Sequence, residues 1–350
     1  MKRTLAAALA LAIAAPASLA AQTDIDNVCD EFSGNANLQS RCASVAQAVD
    51  AAQPQLGILM AGGNPTLGTA STGGVRLGIL PRVSAGLRLN VVFARLPDIR
   101  EEDSANGEVS PDKFSVPAPA LGANVSVGVF PGISVAPMVG GFGAIDLLGS
   151  ATVLPVSLAG VDGLEKNPVS WGAGARIGLL RESFITPGVS VSVMYRRMGD
   201  IQFGDVCEGD EGPAVGGSDA SCTGEGDFGE IDFGLSNVST RAAVSKRLLG
   251  FGLTAGVGYD RFETDANLAF RAPSVTGNTA RPVYRFSDVQ VDNDRWSAFL
   301  NGSFTLLVGS IVAEAGWMQG QEPISGFPAR SDFDPKEGTF FGSIGARLSL

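Results

Sequence analysis

Apolar and polar positions alternate near the end of this sequence. Every second residue there is apolar or small: Phe340, Gly342, Ile344, Ala346, Leu348 and Leu350. The residues between them, among them Ser343, Arg347 and Ser349, are mostly polar or small. Because successive side chains of a strand point to opposite faces, this segment has one apolar face and one face that water can contact. The pattern predicts a β-strand.

The same alternation recurs along most of the chain. It is clearest in residues 83–93, 121–129, 169–179, 251–259, 296–306 and 311–317. The apolar faces of these segments exceed what one soluble core would hide, whereas a barrel can turn them toward lipid and keep water inside. The sequence therefore predicts an all-β fold, a closed antiparallel transmembrane β-barrel of the bacterial outer-membrane kind.

Breaks in the alternation give a strand count. Short breaks fall at residues 80–82, 130–132, 181–188, 248–250 and 307–309, and long polar stretches fall at 98–114, 149–167, 204–227, 271–281 and 322–337. Short turns at one rim and long loops at the other are typical of outer-membrane barrels. With a first strand at 55–62, the count is about twelve. An even number places both ends of the barrel at the short-turn, periplasmic rim.

One segment departs from the regular phase. Ile231 and Phe233 have the opposite parity to the apolar Val238 that follows them. A β-bulge near Ser236 and Asn237 would restore the phase. Alternatively, the upper part of this strand stands above the membrane. The sequence leaves both interpretations open.

The start of the chain predicts export. Lys2 and Arg3 form a basic start, residues 5–15 are apolar, and residues 18–20 form a small-residue cleavage site. These are the parts of a signal peptide, and the apolar part is too short for a spanning helix. The predicted organisation is a signal peptide at 1–20, an N-terminal helical segment at 21–54 and the barrel at 55–350.

Residues 27–53 have a helical period. Leu38, Cys42, Val45 and Val49 lie on one face at this spacing, as in an amphipathic helix. The helix would either enter the lumen as a plug or lie beneath the barrel as a periplasmic cap. The bore of a barrel widens with its strand number, and at about twelve strands a small helix would close it.

The four cysteines form two close pairs, Cys29 with Cys42 and Cys207 with Cys222. In an exported protein, such pairs predict disulfides. The first bond would join the helical segment to a preceding turn, and the second would close a loop rich in Gly and Asp. A metal site is the alternative interpretation, but the chain has neither CxxC spacing nor any histidine to support it.

Aromatic residues mark one level of the predicted exterior. Five of them fall on the outward parity, several residues from the short turns: Trp171, Tyr195, Tyr259, Trp296 and Trp317. Such rings form a girdle at the level of the lipid headgroups in outer-membrane barrels. An aromatic core inside a soluble sandwich is the alternative.

Several charged residues fall on the positions that would face inward: Arg76, Arg88, Arg176, Arg196, Arg241, Glu314 and Arg347. An arginine that faces lipid at the bilayer midplane costs about 2 to 4 kcal/mol, so these side chains are expected in the lumen. They would brace the barrel through ion pairs, with Asp146 and Asp232 as partners. Alternatively, they would form a cationic constriction that favours anions.

Residue content excludes several function classes. The 25 Lys and Arg are outnumbered by 36 Asp and Glu, so no basic patch dominates and no nucleic-acid partner is expected. The chain has no histidine, which outer-membrane lipases and proteases usually need as a general base. No phosphate loop or dinucleotide motif occurs either. The sequence predicts neither an enzyme nor a cofactor.

The long loops carry much of the net charge of −11, and residues 204–230 hold eight acidic residues and no Lys or Arg. Their carboxylates would bind Ca²⁺ or Mg²⁺ at the lipopolysaccharide surface, or they would only keep the loops hydrated. Outer-membrane lipid, lipopolysaccharide and the barrel-assembly machinery are the expected partners, together with a small solute that the sequence does not identify.

Over about 290 residues the chain resembles the Gram-negative outer-membrane β-barrel superfamily. Asn64 and Pro65 are similar to the Asn-Pro-Ala-Gly element of the long-chain fatty-acid transporter family, although the Ala-Gly is missing. That resemblance implies a monomeric barrel with an N-terminal hatch and lateral passage of hydrophobic substrates. The predicted function is a channel or transporter for small solutes, anionic ones included, or for hydrophobic molecules. The alternative is a non-conducting surface protein that displays acidic, disulfide-closed loops.

Overall fold

The described part of the chain contains one α-helix and ten long strands, together with a 3₁₀ turn and five two-residue strands. The computed structural model describes residues 24–73, 75–76, 80–99, 104–105, 108–109, 111–134, 140–155, 167–206, 221–222, 227–272, 281–329 and 331–349. The helix, α1, is Ala36–Ala61. The strands are β1 (Val83–Pro97), β2 (Lys113–Phe130), β3 (Ala144–Val153), β4 (Val169–Leu180), β5 (Gly188–Phe203), β6 (Gly229–Leu248), β7 (Phe251–Arg271), β8 (Arg281–Leu306), β9 (Gly309–Met318) and β10 (Thr339–Ser349).

The ten strands close into a barrel. Each pairs antiparallel with the next along the chain, and β10 returns to pair with β1, where Ile344 lies opposite Leu89. The predicted closed antiparallel β-barrel is confirmed. In the described residues the barrel has ten strands, so the predicted count of about twelve is wrong. Ten is also even, and both ends of the wall lie at one rim.

Two predicted strands are not barrel strands. Residues 55–62 belong to the end of α1 and its C-cap, Gly62. Between Gly73 and β1, the described residues contain only a two-residue pairing of Val75–Arg76 with Leu80–Pro81. The segment 55–62 contains Leu, Ile and Met, which both helices and strands bury. A short apolar run therefore does not distinguish a helix from a strand.

The connections differ at the two rims. Those between β4 and β5, β6 and β7, and β8 and β9 are short, at residues 181–187, 249–250 and 307–308. At the other rim they are long, for example residues 204–228 and 319–338. These ends are named the short-turn rim and the long-loop rim. The β2–β3 connection at the short-turn rim is longer than predicted, spanning 131–143 with a bridge between Ile133 and Phe142.

The helix α1 lies inside the barrel. Asn35 caps its start by accepting hydrogen bonds from the backbone N–H groups of Asn37 and Leu38 at 3.2 and 3.3 Å, which satisfies two otherwise free donors. Most of the helix is buried on every side, and it contacts strands β1, β2, β6, β7, β8 and β10. Of the two predicted positions, lumen or periplasmic cap, the structure has the lumen. Its bounds also extend beyond the predicted limit at residue 54.

The predicted bond between Cys29 and Cys42 is confirmed. It joins the second turn of α1 to the residue before a 3₁₀ turn at Asp30–Phe32. Among the described residues, no helix is both long and apolar enough to cross a bilayer.

The wall changes character along its height. On β8, the inward residues near the long-loop rim are Val289 and Val291, whereas Asn301 and Ser303 point inward near the short-turn rim. The part of the wall from Trp296 to the short-turn rim, and its equivalent on the other strands, is here the lower half. The remainder, toward the long-loop rim, is the upper half.

The outer surface shows the reverse distribution. In the lower half, large apolar side chains are exposed: Leu87, Phe93, Val125, Leu147, Ile177, Val193, Val244, Leu253, Val257, Leu300, Phe304, Ile311, Ile344 and Leu348. In the upper half, acidic residues such as Glu263, Asp292 and Asp294 are on the outside. The lower half is therefore polar inside and apolar outside, whereas the upper half is polar outside and has a mainly apolar interior.

This inversion explains the segment whose phase departed from the pattern. Ile231 and Phe233 are buried and share their inward parity with Asn237 on the same strand. The predicted bulge near Ser236 and Asn237 is wrong. The register shift lies on the neighbouring strand, because Phe233 pairs with Ile201 and Leu235 with Met198, which leaves the extra residue on β5.

The five predicted girdle residues lie on the outer surface where the two halves meet. Trp171 and Trp296 are 54% and 57% exposed. Tyr259 packs against Trp296 with ring centroids 5.0 Å apart, and Trp171 packs against Tyr195 at 6.0 Å. Leu249 and Leu307 are fully exposed at the tips of the short turns. These tips are about ten residues from the aromatic level, which is about 33 Å along the strand and, for a strand tilted by about 40°, about 25 Å along the barrel axis, the height of a barrel's apolar band.

Candidate functional site

The residues after α1 are the most densely bonded part of the lumen. Residues 62–73, here the luminal segment, run from the helix end toward the short-turn rim and are mostly buried. The segment consists almost entirely of Gly, Ser, Thr and Asn, and Leu67 is its one large apolar residue. It cannot be held by apolar packing, so its buried backbone groups need polar partners from the wall.

Glu314 and Arg88 clamp the start of the luminal segment from two sides. The Glu314 carboxylate accepts hydrogen bonds from the backbone N–H groups of Gly63 and Asn64, both at 2.8 Å. Arg88 donates to the carbonyl oxygens of Ala61 and, at 3.2 Å, of Asn64. An anionic group thus meets donors and a cationic group meets acceptors, the arrangement that gives strong charge-assisted bonds.

Gly62 makes this close approach possible. Its φ is +61°, and a Cβ atom there would lie 2.6 Å from Nη1 of Arg88. Only glycine adopts that backbone conformation readily and leaves room for the guanidinium group. Helix α1 therefore ends where the wall arginine reaches its last carbonyl groups.

A second clamp joins Arg241 to the same turn. Its Nε donates to the carbonyl oxygen of Gly63 at 3.0 Å, and its Nη2 donates to the Asp260 carboxylate at 2.8 Å. Both side chains of this ion pair are almost fully buried, at 3% and 0% exposed. The pair lies in a site closed to solvent, where an uncompensated charge would be costly.

A third clamp lies closer to the short-turn rim. Arg176 pairs with Asp146 at 2.6 Å and donates to the carbonyl oxygen of Thr69 at 3.3 Å. Asp146 also accepts from the backbone N–H of Gly73 at 3.0 Å. The sequence predicted Asp146 as a bracing partner, and in the structure it forms this ion pair with Arg176. Asp232 lies on the outward parity of β6, away from these arginines.

The other predicted lumen residues differ in what they contact. Arg347 is buried and donates to the carbonyl oxygen of Leu67. Arg196 is buried but bonds to the wall, to Ser239 at 2.5 Å. The side chain of Arg76 lies outside the described residues. Four predicted arginines and Glu314 thus converge on the end of α1 and the luminal segment.

Sequence reasoning missed the neutral and acidic members of this network. Asn90 donates to the carbonyl oxygen of Leu59 at 2.7 Å, and Asn301 donates to Glu314 at 2.7 Å. Asp260, the partner of Arg241, was also missed. All three lie on the inward parity of their strands, so the parity that selected the arginines would have selected them as well.

A polar layer also surrounds α1 above the aromatic level, outside the apolar band. The Asp50 carboxylate accepts hydrogen bonds from Asn293 at 2.8 Å, from Gln47 at 3.2 Å and from Gln321. Burial raises the pKa of Asp50 to about 6, because removal from water disfavours its charged form more than these donors and Arg295 stabilise it.

An apolar cavity of about 80 Å³ lies beside α1 in the upper half. Leu56 and Leu59 of the helix line one side, and Val116, Ala118 and Phe233 of the wall line the other. The amide of Gln55 is the one polar side chain among its lining residues. The cavity suits an apolar group and not a charged one.

Several predictions fall outside the described residues. They are the signal peptide, Cys207 with its bond to Cys222, and most of the acidic loop at 204–230. Within the described ranges, no three His, Cys, Asp or Glu side chains are grouped so as to hold a metal ion.

Comparison with known proteins adds only a general likeness. The chain matches no protein-family model and no protein of curated description. Among solved structures it is similar to the outer membrane protease OmpT from Escherichia coli, with 12% identity, 77% of this chain and 96% of that chain covered, and a TM-score of 0.36. It is also similar to the translocator domain of autotransporter NalP from Neisseria meningitidis, with 11% identity, 77% and 88% covered, and a TM-score of 0.37.

A third likeness is to Ail, the attachment invasion locus protein of Yersinia pestis, with 11% identity, 77% and 97% covered, and a TM-score of 0.26. At such TM-scores these likenesses carry no argument. The barrel is established by the strand pairing of this chain itself.

Proposed function

We propose that this chain is a bacterial outer-membrane barrel, closed to solutes by α1 and the luminal segment, that acts at the cell surface as a non-conducting structural protein. The proposal rests on what the charged side chains in the lumen contact. Arg88, Arg176, Arg241 and Glu314 bond to the end of α1 and the luminal segment, and do not line an open constriction. Of the two expected roles for these residues, this favours bracing.

The membrane placement rests on the outer surface. The lower half exposes a continuous set of large apolar side chains, from the aromatic level to Leu249 and Leu307 at the turn tips. Soluble monomers rarely expose apolar surface of that extent, and in a barrel it faces lipid. The predicted signal peptide at 1–20 supplies export, and the acidic upper exterior stands in water.

Opening the lumen would cost considerable free energy. Removing one partner of a buried ion pair costs about 3–5 kcal/mol, because the other charge is left buried without compensation. Two such pairs, Arg241–Asp260 and Arg176–Asp146, also bond to the luminal segment. Opening a path would break several of these bonds together.

Single-channel conductance of the refolded protein in a planar bilayer tests the proposal. We expect no stable conductance steps for the unmodified protein, in a salt gradient of either direction. The variant Glu314→Gln loses the charge that holds Gly63 and Asn64, and we expect it to show brief openings. Glu322→Gln removes an exposed carboxylate at the long-loop rim and should remain silent. Stable, anion-selective steps in the unmodified protein would overturn the proposal and favour a channel.

Binding of a hydrophobic molecule is a second candidate, favoured by the apolar cavity beside α1. Its size suits one aromatic ring or a short alkyl group. A ¹⁹F resonance of fluorobenzene that shifts with the unmodified protein, but not with Ala118→Phe, would support it. Equal shifts for both proteins would contradict binding in the cavity and show that fluorobenzene only partitions into the detergent.

A further inference from the structure

A second, larger cavity opens at the short-turn rim. It has a volume of about 570 Å³ and lies below the luminal segment, on the opposite side of the closure from the long loops. It is here called the vestibule. Its walls are the ends of the lower strands, and its inner end is formed by residues 66–73 of the luminal segment.

The vestibule has a strong excess of positive charge. Its lining holds five arginines, Arg82, Arg176, Arg181, Arg247 and Arg347, and one carboxylate, Glu182. Asp146 neutralises Arg176 behind the lining. Within the described residues, Arg82, Arg181, Arg247 and Arg347 form no ion pair. A concave site with one sign of charge and low-dielectric walls concentrates ions of the opposite sign.

The vestibule also contains buried polar atoms without partners, and donors outnumber acceptors among them. The hydroxyl groups of Thr66 and Thr72 and the Nε atoms of Arg181 and Arg347 have no hydrogen-bond partner within the described residues, and Oε1 of Glu182 is the one carboxylate oxygen of the lining in the same state. Thr72 and Arg347 are 3% and 4% exposed. Buried polar groups are nearly always satisfied, so unmet donors around a cavity point to an acceptor that belongs there.

The charge and the unmet donors converge on the same ligand chemistry. Guanidinium groups bind phosphate and carboxylate through two parallel hydrogen bonds, and threonine hydroxyls donate to the same oxygens. We propose that the vestibule binds a small multivalent oxyanion of the phosphate type between the wall arginines and the luminal segment. The anion bridges Arg347 of β10 to Thr72 and stabilises the closed barrel.

This inference does not rest on the proposed absence of conductance, because the luminal segment and the arginines line the vestibule whether or not ions pass through the barrel. Titration calorimetry with inorganic phosphate, on the refolded protein in a nonionic detergent at constant ionic strength, tests it directly. We expect saturable binding of one phosphate, with sulfate competing and chloride not. Conductance, measured separately, distinguishes failure of this inference from failure of the proposed function.

Two variants and one control identify the site. Arg347→Gln should abolish phosphate binding, and Arg247→Gln should weaken it about tenfold, because a charge-assisted bond of roughly 1.5 kcal/mol is lost. Arg247 is exposed and has no protein partner in the described residues, so its variant should fold. Arg261→Gln removes the same charge from the upper exterior, where Arg261 pairs with Glu263, and should leave binding unchanged.

Lipid headgroups carry the same chemistry, and vesicles distinguish the two sources. Phosphate affinity that is equal in phosphatidylcholine vesicles with and without phosphatidylglycerol indicates a soluble oxyanion. A phosphate affinity that is lower in the vesicles with phosphatidylglycerol indicates that the phosphatidylglycerol headgroup competes for the same site. No saturable phosphate binding, or equal loss in Arg247→Gln and Arg261→Gln, would overturn the proposal.

Discussion

Strand β8 runs through both halves of the barrel, and its two ends bury opposite kinds of side chain. Toward the long-loop rim it turns Val289 and Val291 inward and Asp292 outward, whereas toward the short-turn rim it turns Asn301 inward and Leu300 outward. The two ends of the strand thus face different surroundings, although β8 keeps one register with β7 from Val289 to Phe304.

The difference shows that alternation alone does not define a membrane strand. In the upper half, the walls and the first half of α1 form an apolar cluster that includes Val45, Val49, Ile231, Phe233 and Val291, as in a soluble domain. In the lower half, the walls hold the luminal segment by charge, and the apolar side chains face outward. The helix is the element that both halves share.

The largest expected effect tests the upper interior. Val291 is fully buried in the apolar cluster, so Val291→Asp places a carboxylate among apolar side chains. We expect a loss of about 4 kcal/mol in the free energy of unfolding, measured by urea titration. The matched change Ser297→Asp, on the same inward face but in the polar lower half, should cost clearly less. Equal costs would contradict the division into two interiors.

A smaller effect tests the two exteriors. Leu300 is 51% exposed in the lower half, and Leu300→Arg places a charge toward lipid. We expect a loss of about 2 to 4 kcal/mol for the protein folded in lipid vesicles. Gln202→Arg adds the same charge to the upper exterior beside Glu230, and we expect almost no change. If Leu300→Arg also had no effect, the lower half would not lie in the bilayer.

The smallest effect concerns the polar layer around Asp50 in the upper half. The folded-state pKa, about 6, lies above the ordinary value of 3.8, so folding favours the protonated form. This contribution to stability is complete below pH 3.8 and is lost as the pH rises through 6. We therefore expect the urea midpoint to rise when the pH falls from 7 to 5. Asp50→Asn should lack this part of the pH dependence, and an unchanged dependence in that variant would contradict the assignment.

Much of the wall followed from the sequence, because the period of two is a direct property of strands. Every predicted strand from Val83 onward exists, and Arg88, Arg176, Arg241 and Arg347 lie inside the barrel. Parity also placed Trp171 and Trp296 outside. These predictions depend only on which face a residue occupies, and local sequence determines that.

The end of the helix and the bonding partners inside the lumen did not follow from the sequence. Residues 55–62 continue α1 because the barrel wall surrounds them, which is a tertiary effect. The partner of Arg241 is Asp260, on the adjacent strand, and its other partner is the backbone of Gly63, 178 residues away. Such pairings depend on register and closure, and no local pattern contains them.

The path of the chain through the bore has a consequence for assembly. Asp24 bridges Gln290 in the upper half, α1 descends the lumen, and β1 begins at the opposite rim. The wall closes only when β10 reaches β1, and contacts of such long sequence separation form slowly. Ring closure after the helix is in place avoids threading α1 and its disulfide-linked turn through a finished cylinder. The seam between β1 and β10 is therefore the part of the wall that we expect to pair last, around an interior that already holds the helix.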